Sequence, residues 1–384
     1  MFESQFVTDI LKSLIQIPSM NPPGKEAKIA EEVCHMFADM GIKSEIYYLN
    51  GGERANVVVI LDSGKKGPAF VLNGHLDTVP IKDNWDHEPF MGEIVNGRLY
   101  GLGASDMKSG LAAIMVAVNE IKNEIEKLNG TLIVSFVSDE EKNNLGTRDF
   151  LNRYKNIDYA LIAEPSDLSI VRSNRGTLRF KLTIYGVAGH SSNPANGVNA
   201  IYKIVDVINA LRDYGNKICR DQNYYMSPSI TVTMIDGGTA ENTIPDKCEI
   251  IVDRRMVYGE NKEKVEGEIL DILENFAKKD EQFKYSYCAT GYMDPWRAKP
   301  DSKLIKYCED AFKNCLLADP NYMDFQGTTE AALFAEKGID TVIFGPGDLK
   351  LAHSKNESVE VEQVMKSSRL LYVLIKKVLS ERVN

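Results

Sequence analysis

The sequence predicts an α/β protein with a mixed sheet covered by helices, interrupted by a second compact domain of ferredoxin-like α+β type. Three observations predict it. Short apolar strands alternate with amphipathic helices through the first 176 residues. The same alternation returns after residue 291. Between them the order changes to β-α-β-β-α-β. Alternation of apolar strands with helices marks a sheet covered on both faces, and the six-element order is that of the split βαβ arrangement. At 384 residues the chain also exceeds what one hydrophobic core of about 250–300 residues serves. The expected domains are a discontinuous one, 1–176 with 291–384, and an inserted one, 177–290.

The elements follow from periodicity. Phe6, Ile10, Leu11, Leu14 and Ile15 recur at helical spacing before Pro18 and the Asn21-Pro22-Pro23-Gly24 breaker. A helix is expected over Glu26–Met40, then strands over Ile42–Tyr48, Val57–Leu61 and Ala69–Leu72. A long helix from Met107 to about Lys127 precedes strand Thr131–Val137, helix Thr147–Tyr154 and strand Tyr159–Ala163. In the insert, strand Leu178–Tyr185 leads to helix Val198–Tyr214, with Ile201, Ile204, Val205, Ile208 and Leu211 on its apolar face. Strands Ser229–Ile235 and Lys247–Arg254, helix Lys262–Lys278 and strand Phe283–Tyr287 complete it. Helices Ser302–Cys315, Glu330–Glu336 and Val361–Leu379, with strand Thr341–Phe344, close the chain.

Composition narrows the partners. A net charge of −10 argues against nucleic acid, which favours a basic face, and against an anionic membrane surface. The N-terminus has no signal-peptide pattern, and apolar runs such as Val57–Leu61 or Leu111–Val118 fall short of the roughly 20 residues that span a bilayer. Six scattered cysteines without a C-x-x-C pair read as reduced, mostly buried thiols, which points to the cytoplasm.

Three strands end in polar residues that packing does not require. Ala69–Leu72 runs into Asn73-Gly74-His75-Leu76-Asp77, Thr131–Val137 into Ser138-Asp139-Glu140-Glu141, and Tyr159–Ala163 into Glu164-Pro165. In open α/β sheets ligands bind beyond the carboxyl ends of strands, so these clusters are expected to converge. Asp106 sits after the Gly101-Leu102-Gly103 turn, and His353 follows Gly345-Pro346-Gly347. Taken singly, Asp106 reads as a helix N-cap and Glu140-Glu141 as an acidic helix start. Together they make two imidazoles and several carboxylates with no matching Lys or Arg cluster, and such crowding calls for metal ions as counter-charge. Histidine and carboxylate donors without cysteine suit zinc, with cobalt or manganese as alternatives.

These motifs carry a family resemblance. Gly74-His75-Leu76-Asp77, Gly103-Ala104-Ser105-Asp106-Met107-Lys108-Ser109-Gly110, Ser138-Asp139-Glu140-Glu141, Gly189-His190-Ser191-Ser192, and Gly345-Pro346-Gly347 with His353 occur in order along nearly the whole chain. The sequence resembles the two-metal hydrolases that include acetylornithine deacetylase, succinyl-diaminopimelate desuccinylase, aminoacylase and glutamate carboxypeptidase. The resemblance implies that His75, Asp106 and Glu164 hold one metal and His353, Asp106 and Glu141 the other, with Asp106 shared. It implies that Asp77 orients His75 through its other ring nitrogen. Glu140 would be the general base, taking a proton from the attacking water and returning it to the leaving nitrogen. His190 would steady the tetrahedral oxyanion, from the partner subunit in a homodimer. Asn242 and Arg255 match positions that hold substrate carbonyl or carboxylate groups, and the backbone N–H groups of Gly345 and Gly347 are further candidates for the carboxylate.

Thr328-Thr329-Glu330-Ala331 stands where carboxypeptidase members carry Gly-Thr-Asp. With Gly197-Val198-Asn199-Ala200-Ile201, that leans toward acetylornithine deacetylase and a role in amino-acid biosynthesis. The expected substrate is a small N-acyl amino acid or short peptide. The alternatives are a desuccinylase, aminoacylase or small-peptide carboxypeptidase with the same centre, and, outside the enzymes, a catalytically dead binding homologue. The presence of all five candidate ligands and Glu140 weighs against the last.

Overall fold

The computed structural model describes residues 4–82, 84–220, 226–316 and 318–381. The chain divides into two compact units. One comprises the chain up to Arg172, Ala298–Phe325 and Thr329 onward; the other is Ser173–Arg297 with Gln326–Thr328. The inserted unit therefore begins and ends a few residues outside the 177–290 read from sequence, and it takes in a short return segment.

In the first unit the central sheet runs in the order Ser44–Leu49, Arg54–Asp62, Thr131–Val137, Ala69–His75, Tyr159–Ile162, Asp340–Ile343 and Ile170–Asn174. The four inner strands, Thr131–Val137 to Asp340–Ile343, are parallel and their flanking neighbours antiparallel, so the sheet is mixed. These inner strands are buried almost throughout, as parallel strands covered on both faces must be. Helix Lys108–Ile121 is buried on every side from Lys108 to Val118 and packs against helices Ser4–Ile15 and Val361–Val378. A helix apolar all round has nowhere to go but the core. Phe37, Phe70 and Phe136 are fully buried beside it, with the Phe37 and Phe136 ring centroids 6.0 Å apart.

The inserted unit has the ferredoxin-like topology. Its antiparallel sheet is ordered Ser229–Gly237, Lys247–Met256, Gly176–Tyr185, Lys284–Met293. Leu178, Phe180, Leu182 and Ile184 alternate inward with period two and meet Ile204, Val207 and Leu211 of helix Ala200–Cys219. Val265, Ile269 and Leu273 of helix Lys262–Lys279 join the same core at i, i+4 spacing. Asn199 and Asn261 start these helices, each side chain accepting from main-chain N–H groups of the first turn.

Several expectations need correcting. The helix from Met107 begins at Lys108 and stops at Ile121, and only a 3-10 turn, Ile125–Lys127, follows. A three-stranded sheet of Glu93–Val95, Arg98–Tyr100 and Ser358–Glu360 escaped notice, because three-residue strands carry too few positions to show a period. The buried face of helix Ala200–Cys219 includes Val207 in place of Val205, which is 45% exposed. Only Cys248 and Cys308 of the six free cysteines are fully buried, whereas Cys219 and Cys288 are exposed. No helix among the described residues is long and apolar enough to cross a membrane.

The rotated helix face has a measurable consequence. Val207→Ala should cost about 1.5–3 kcal/mol in urea unfolding, and Val205→Ala should stay within about 0.5 kcal/mol. A larger cost at Val205 than at Val207 would show that the face is the one read from sequence.

Candidate metal centre

The four parallel strands occur along the chain as Ala69–His75, Thr131–Val137, Tyr159–Ile162 and Asp340–Ile343, but in space as second, first, third, fourth. The chain leaves the first of them toward one side and reaches the third on the other. That reversal makes a crevice at their carboxyl ends, where α/β sheets bind ligands. His75 ends one strand of the crevice, and Glu164 lies two residues past the other.

Asp106 is delivered by the turn before helix Lys108–Ile121. Glu357 grips that turn: Oε1 accepts from the N–H groups of Ser105 (2.9 Å) and Asp106 (2.8 Å), and Oε2 from that of Gly103 (2.9 Å). Gly103 has φ +81°, and a Cβ there would lie 2.6 Å from Thr78 Cγ2, so the turn requires glycine. Buried Lys108 pins the next residues, donating to the carbonyls of Leu14 (2.9 Å) and Ile17 (2.8 Å). Asp106 is not the helix cap: Met107 holds that position, and no side-chain cap bond forms there.

Asp106 faces an imidazole with each oxygen. Oδ1 is 3.1 Å from His75 Nε2, and Oδ2 is 3.3 Å from His353 Nε2. Glu164 Oε1 lies 3.8 Å from His75 Nε2, and Glu141 Oε1 3.1 Å from His353 Nε2. His75, Asp106 and Glu164 therefore form one three-donor group, and Asp106, Glu141 and His353 another. His75 Nδ1 donates to the carbonyl of Asp77 at 2.8 Å, which leaves the Nε2 lone pair of a neutral ring aimed at two carboxylates. Only a proton or a cation between them reconciles that arrangement.

The titration tendencies record the same crowding. Burial works against a charged His75, yet its hydrogen bond to Asp106 and the charges of Glu164 and Glu140 carry its pKa well above the ordinary range. Hydrogen bonds to Asp106 and Glu141 lift His353 to about 10. Burial pushes Glu164 well up, and the charge on Asp106 adds to it. Glu140 is also pushed well up by burial, with Glu330, Glu141 and Asp77 repelling its charge against the pull of His75. Ligands of a tetrahedral ion bonded at about 2.0–2.2 Å lie about 3.3–3.6 Å apart. The observed separations of 3.1–3.8 Å bracket that spacing, so the residues fit a pair of cations sharing Asp106.

Asp77 does something other than expected. Its carboxylate is 3.9 Å from His75 Nδ1, and its main-chain carbonyl holds the ring instead. The carboxylate accepts from the N–H groups of Glu140 (3.0 Å) and Glu141 (3.1 Å) and from Asn21 Nδ2 (2.9 Å). Glu140 stands outside both three-donor groups and in a third with Glu164 and Glu330. Glu330, part of the stretch that departs from the carboxypeptidase pattern, is fully buried and accepts from Asn73 Nδ2 at 3.0 Å. Sequence reading missed Glu357 altogether, since a lone acid some 250 residues from its turn leaves no local pattern.

The remaining candidates are placed as follows. In the inserted unit, His190 and Asn242 meet on a small antiparallel ribbon: His190 pairs with Thr243, and Ser191 N–H donates to the carbonyl of Asn242 at 2.9 Å. Ser192 N–H donates to His190 Nδ1 at 3.2 Å, so the neutral ring carries its proton on Nε2. Arg255 donates from Nε to Asp253 (2.7 Å) and from Nη1 to Thr328 (3.2 Å). The N–H groups of Gly345 and Gly347 are not open to a ligand. Gly345 donates to Ser166 Oγ (3.0 Å) and Gly347 to Gln363 Oε1 (2.9 Å). The two histidines outside the motifs are elsewhere engaged, His35 with Glu32 and His87 with Glu93.

Comparison with known proteins identifies the family and the fold. The chain is 28% identical over 382 residues to acetylornithine deacetylase of Buchnera aphidicola subsp. Acyrthosiphon pisum (strain APS), covering 96% of this chain and 97% of that one. It is 26% identical over 397 residues to a probable succinyl-diaminopimelate desuccinylase of Staphylococcus aureus (strain MSSA476), covering 95% of each. Its fold matches that of the Bacillus subtilis YXEP protein, a dinuclear metal-binding peptidase of the M20 family, with TM-score 0.75 and 16% identity over 98% of both chains. The model of peptidase family M20/M25/M40 matches residues 71–377, and the chain belongs to that family of hydrolases.

Proposed function

We propose that this protein hydrolyses the amide bond of a small N-acyl amino acid, of the N-acetylornithine type, at a two-metal centre. One observation carries the reading: the two oxygens of Asp106 face different imidazoles, so a single carboxylate serves both three-donor groups. His75, Asp106 and Glu164 would hold one divalent ion, and His353, Asp106 and Glu141 the other. The donor chemistry favours zinc, with cobalt or manganese as alternatives. When bound, such ions supply Lewis acidity that stabilises negative charge developing on oxygen.

The chain's own residues do the rest. Glu140 takes a proton from the attacking water and delivers it to the leaving nitrogen. Its exclusion from both donor groups, and the anchoring of its amide by Asp77, support that division of labour from Glu141. His190, with Nε2–H outward, donates to the oxyanion. Asn242, beside it on the ribbon, holds a substrate carbonyl, and Arg255 receives the substrate carboxylate.

The identities to the deacetylase and the desuccinylase are nearly equal, so desuccinylation is the second reading. Hydrolysis of N-acetyl, N-succinyl and dipeptide substrates with added zinc, cobalt or manganese decides between them. A preference for N-acetylornithine is expected, and cleavage of N-succinyl substrates alone would transfer the assignment.

The enzyme should contain about two metal ions per chain, lose activity to a chelator and regain it with zinc or cobalt. Active protein with almost no metal would refute the two-ion centre. Glu140→Ala should keep both ions while turnover drops about 10²–10⁴-fold. Glu141→Ala should instead lose affinity at one site, and the reverse pattern would exchange the two roles.

A homodimer formed through the inserted unit completes the reading. Strand Ser229–Gly237 lies at the edge of its sheet and exposes Met234 (67%) and Ile235 (58%), an apolar edge that invites pairing. If the partner supplies His190, mixing inactive Glu140→Ala and His190→Ala subunits should restore activity. About half of randomly mixed dimers are hetero, each with one intact site, giving roughly a quarter of wild-type activity. No recovery despite demonstrated subunit exchange would place His190 in its own subunit's site.

A further inference from the structure

The Asn21-Pro22-Pro23-Gly24 segment reads in sequence as a helix breaker, yet its asparagine is buried beside the candidate centre. Asn21 Nδ2 donates to two carboxylates at once, Asp77 Oδ2 and Asp139 Oδ1, each at 2.9 Å. Its Oδ1 accepts from Arg54 Nη2 at 3.1 Å, so donors and acceptor are all engaged. Main-chain bonds fix the register, since Asn21 N–H donates to the Thr78 carbonyl (2.8 Å) and Thr78 N–H to that of Ser19 (3.0 Å). Arg54 Nη1 reaches Asp139 (2.9 Å) and Glu26 (2.5 Å). Gly24 makes room for it: φ is +78°, and a Cβ there would lie 2.0 Å from Arg54 Nη2.

We infer that Asn21 and Arg54 are positioning residues for Glu140, acting through the Asp77 and Asp139 carboxylates. The inference rests on the reading of Glu140 as the base. Asp77 grips the amides of Glu140 and Glu141, and Asp139, immediately before them, takes the left-handed φ of +67°. Asp139 also accepts two main-chain bonds that turn the chain, from Asn143 (3.1 Å) and Asn144 (2.6 Å). Both carboxylates are fully buried and face each other across one amide nitrogen. Without that donor they repel, and the segment carrying Glu140 moves with them. An aspartate at position 21 would worsen the repulsion, and a leucine would fill the space but donate nothing.

The test is Asn21→Leu, assayed on N-acetylornithine or the best substrate of the panel. The expected result is kcat lowered about 10–100-fold, the usual range for residues that orient an active centre. KM should stay within about twofold, and zinc content by elemental analysis should remain near two per chain. The double variant Asn21→Leu/Asp77→Asn should be no more than about twofold slower than Asp77→Asn, because residues acting through one another are not additive. A wild-type kcat in folded, metal-loaded Asn21→Leu overturns the inference, as do multiplicative losses in the double variant. If Asn21→Leu does not fold, Arg54→Lys carries the same test, since lysine keeps the charge but lacks the fork that serves Asn21, Asp139 and Glu26 together. Reduced kcat at full metal content supports the role, and wild-type kcat removes it. Glu140→Ala run in parallel separates the two failures. Full turnover there removes the base reading, whereas its loss there with normal kcat in Asn21→Leu removes the positioning role alone.

Discussion

Mutual repulsion among carboxylates at the ends of four parallel strands is the constraint around which the first unit is arranged. Asp106, Glu140, Glu141, Glu164 and Glu330 gather there with two imidazoles, and burial denies them the water that would screen them. Glu140, Glu141, Glu164 and Glu330 answer with a raised affinity for protons, whereas the two imidazoles lower that of Asp106; divalent ions, if bound, would be the more effective counter-charge. The sheet makes the gathering affordable only because its strands are rigid and buried, so their last residues have few alternative positions.

The supporting groups are mostly neutral or acidic rather than cationic. Glu357 holds the Asp106 turn through three N–H groups, and Asp77 holds the Glu140-Glu141 segment through two. Using main-chain amides as donors fixes the geometry without placing positive charges where a metal would have to compete with them. Lys108 and Arg54 are the buried cations nearby. Lys108 is spent on the carbonyls of Leu14 and Ile17, and Arg54 on Asp139, Glu26 and Asn21.

The architecture was legible because its signals are local and periodic. Thr131–Val137 was read to the residue, and the βαββαβ order of the insert follows from alternation and helical spacing alone. The convergence of the candidate donors was legible because His75, Glu141 and Glu164 lie at or after strand ends, while Asp106 and His353 sit in glycine-bearing motifs. What sequence could not show was partnership over distance: Glu357 with residues 103–106, or Arg54 with Asp139. Nor could it separate a carbonyl from a carboxylate of the same residue, which is why Asp77 was assigned the wrong atom for His75. The N–H groups of Gly345 and Gly347 were misjudged for a related reason, since Ser166 and Gln363 had no visible reason to claim them.

The discontinuity of the first unit also sets an order of assembly. Four candidate donors, His75, Asp106, Glu141 and Glu164, emerge from the ribosome before the inserted unit, but His353 and the clamp Glu357 come after it. Strand Asp340–Ile343 and helix Val361–Val378, which finish the sheet and cover the all-buried helix, are later than the insert as well. Domains tend to fold as units during synthesis. The insert therefore has all four of its strands while its host still lacks an inner strand and a wall. A nascent chain at that stage carries the candidate group of His75, Asp106 and Glu164, and the second group stays incomplete until His353 has been made.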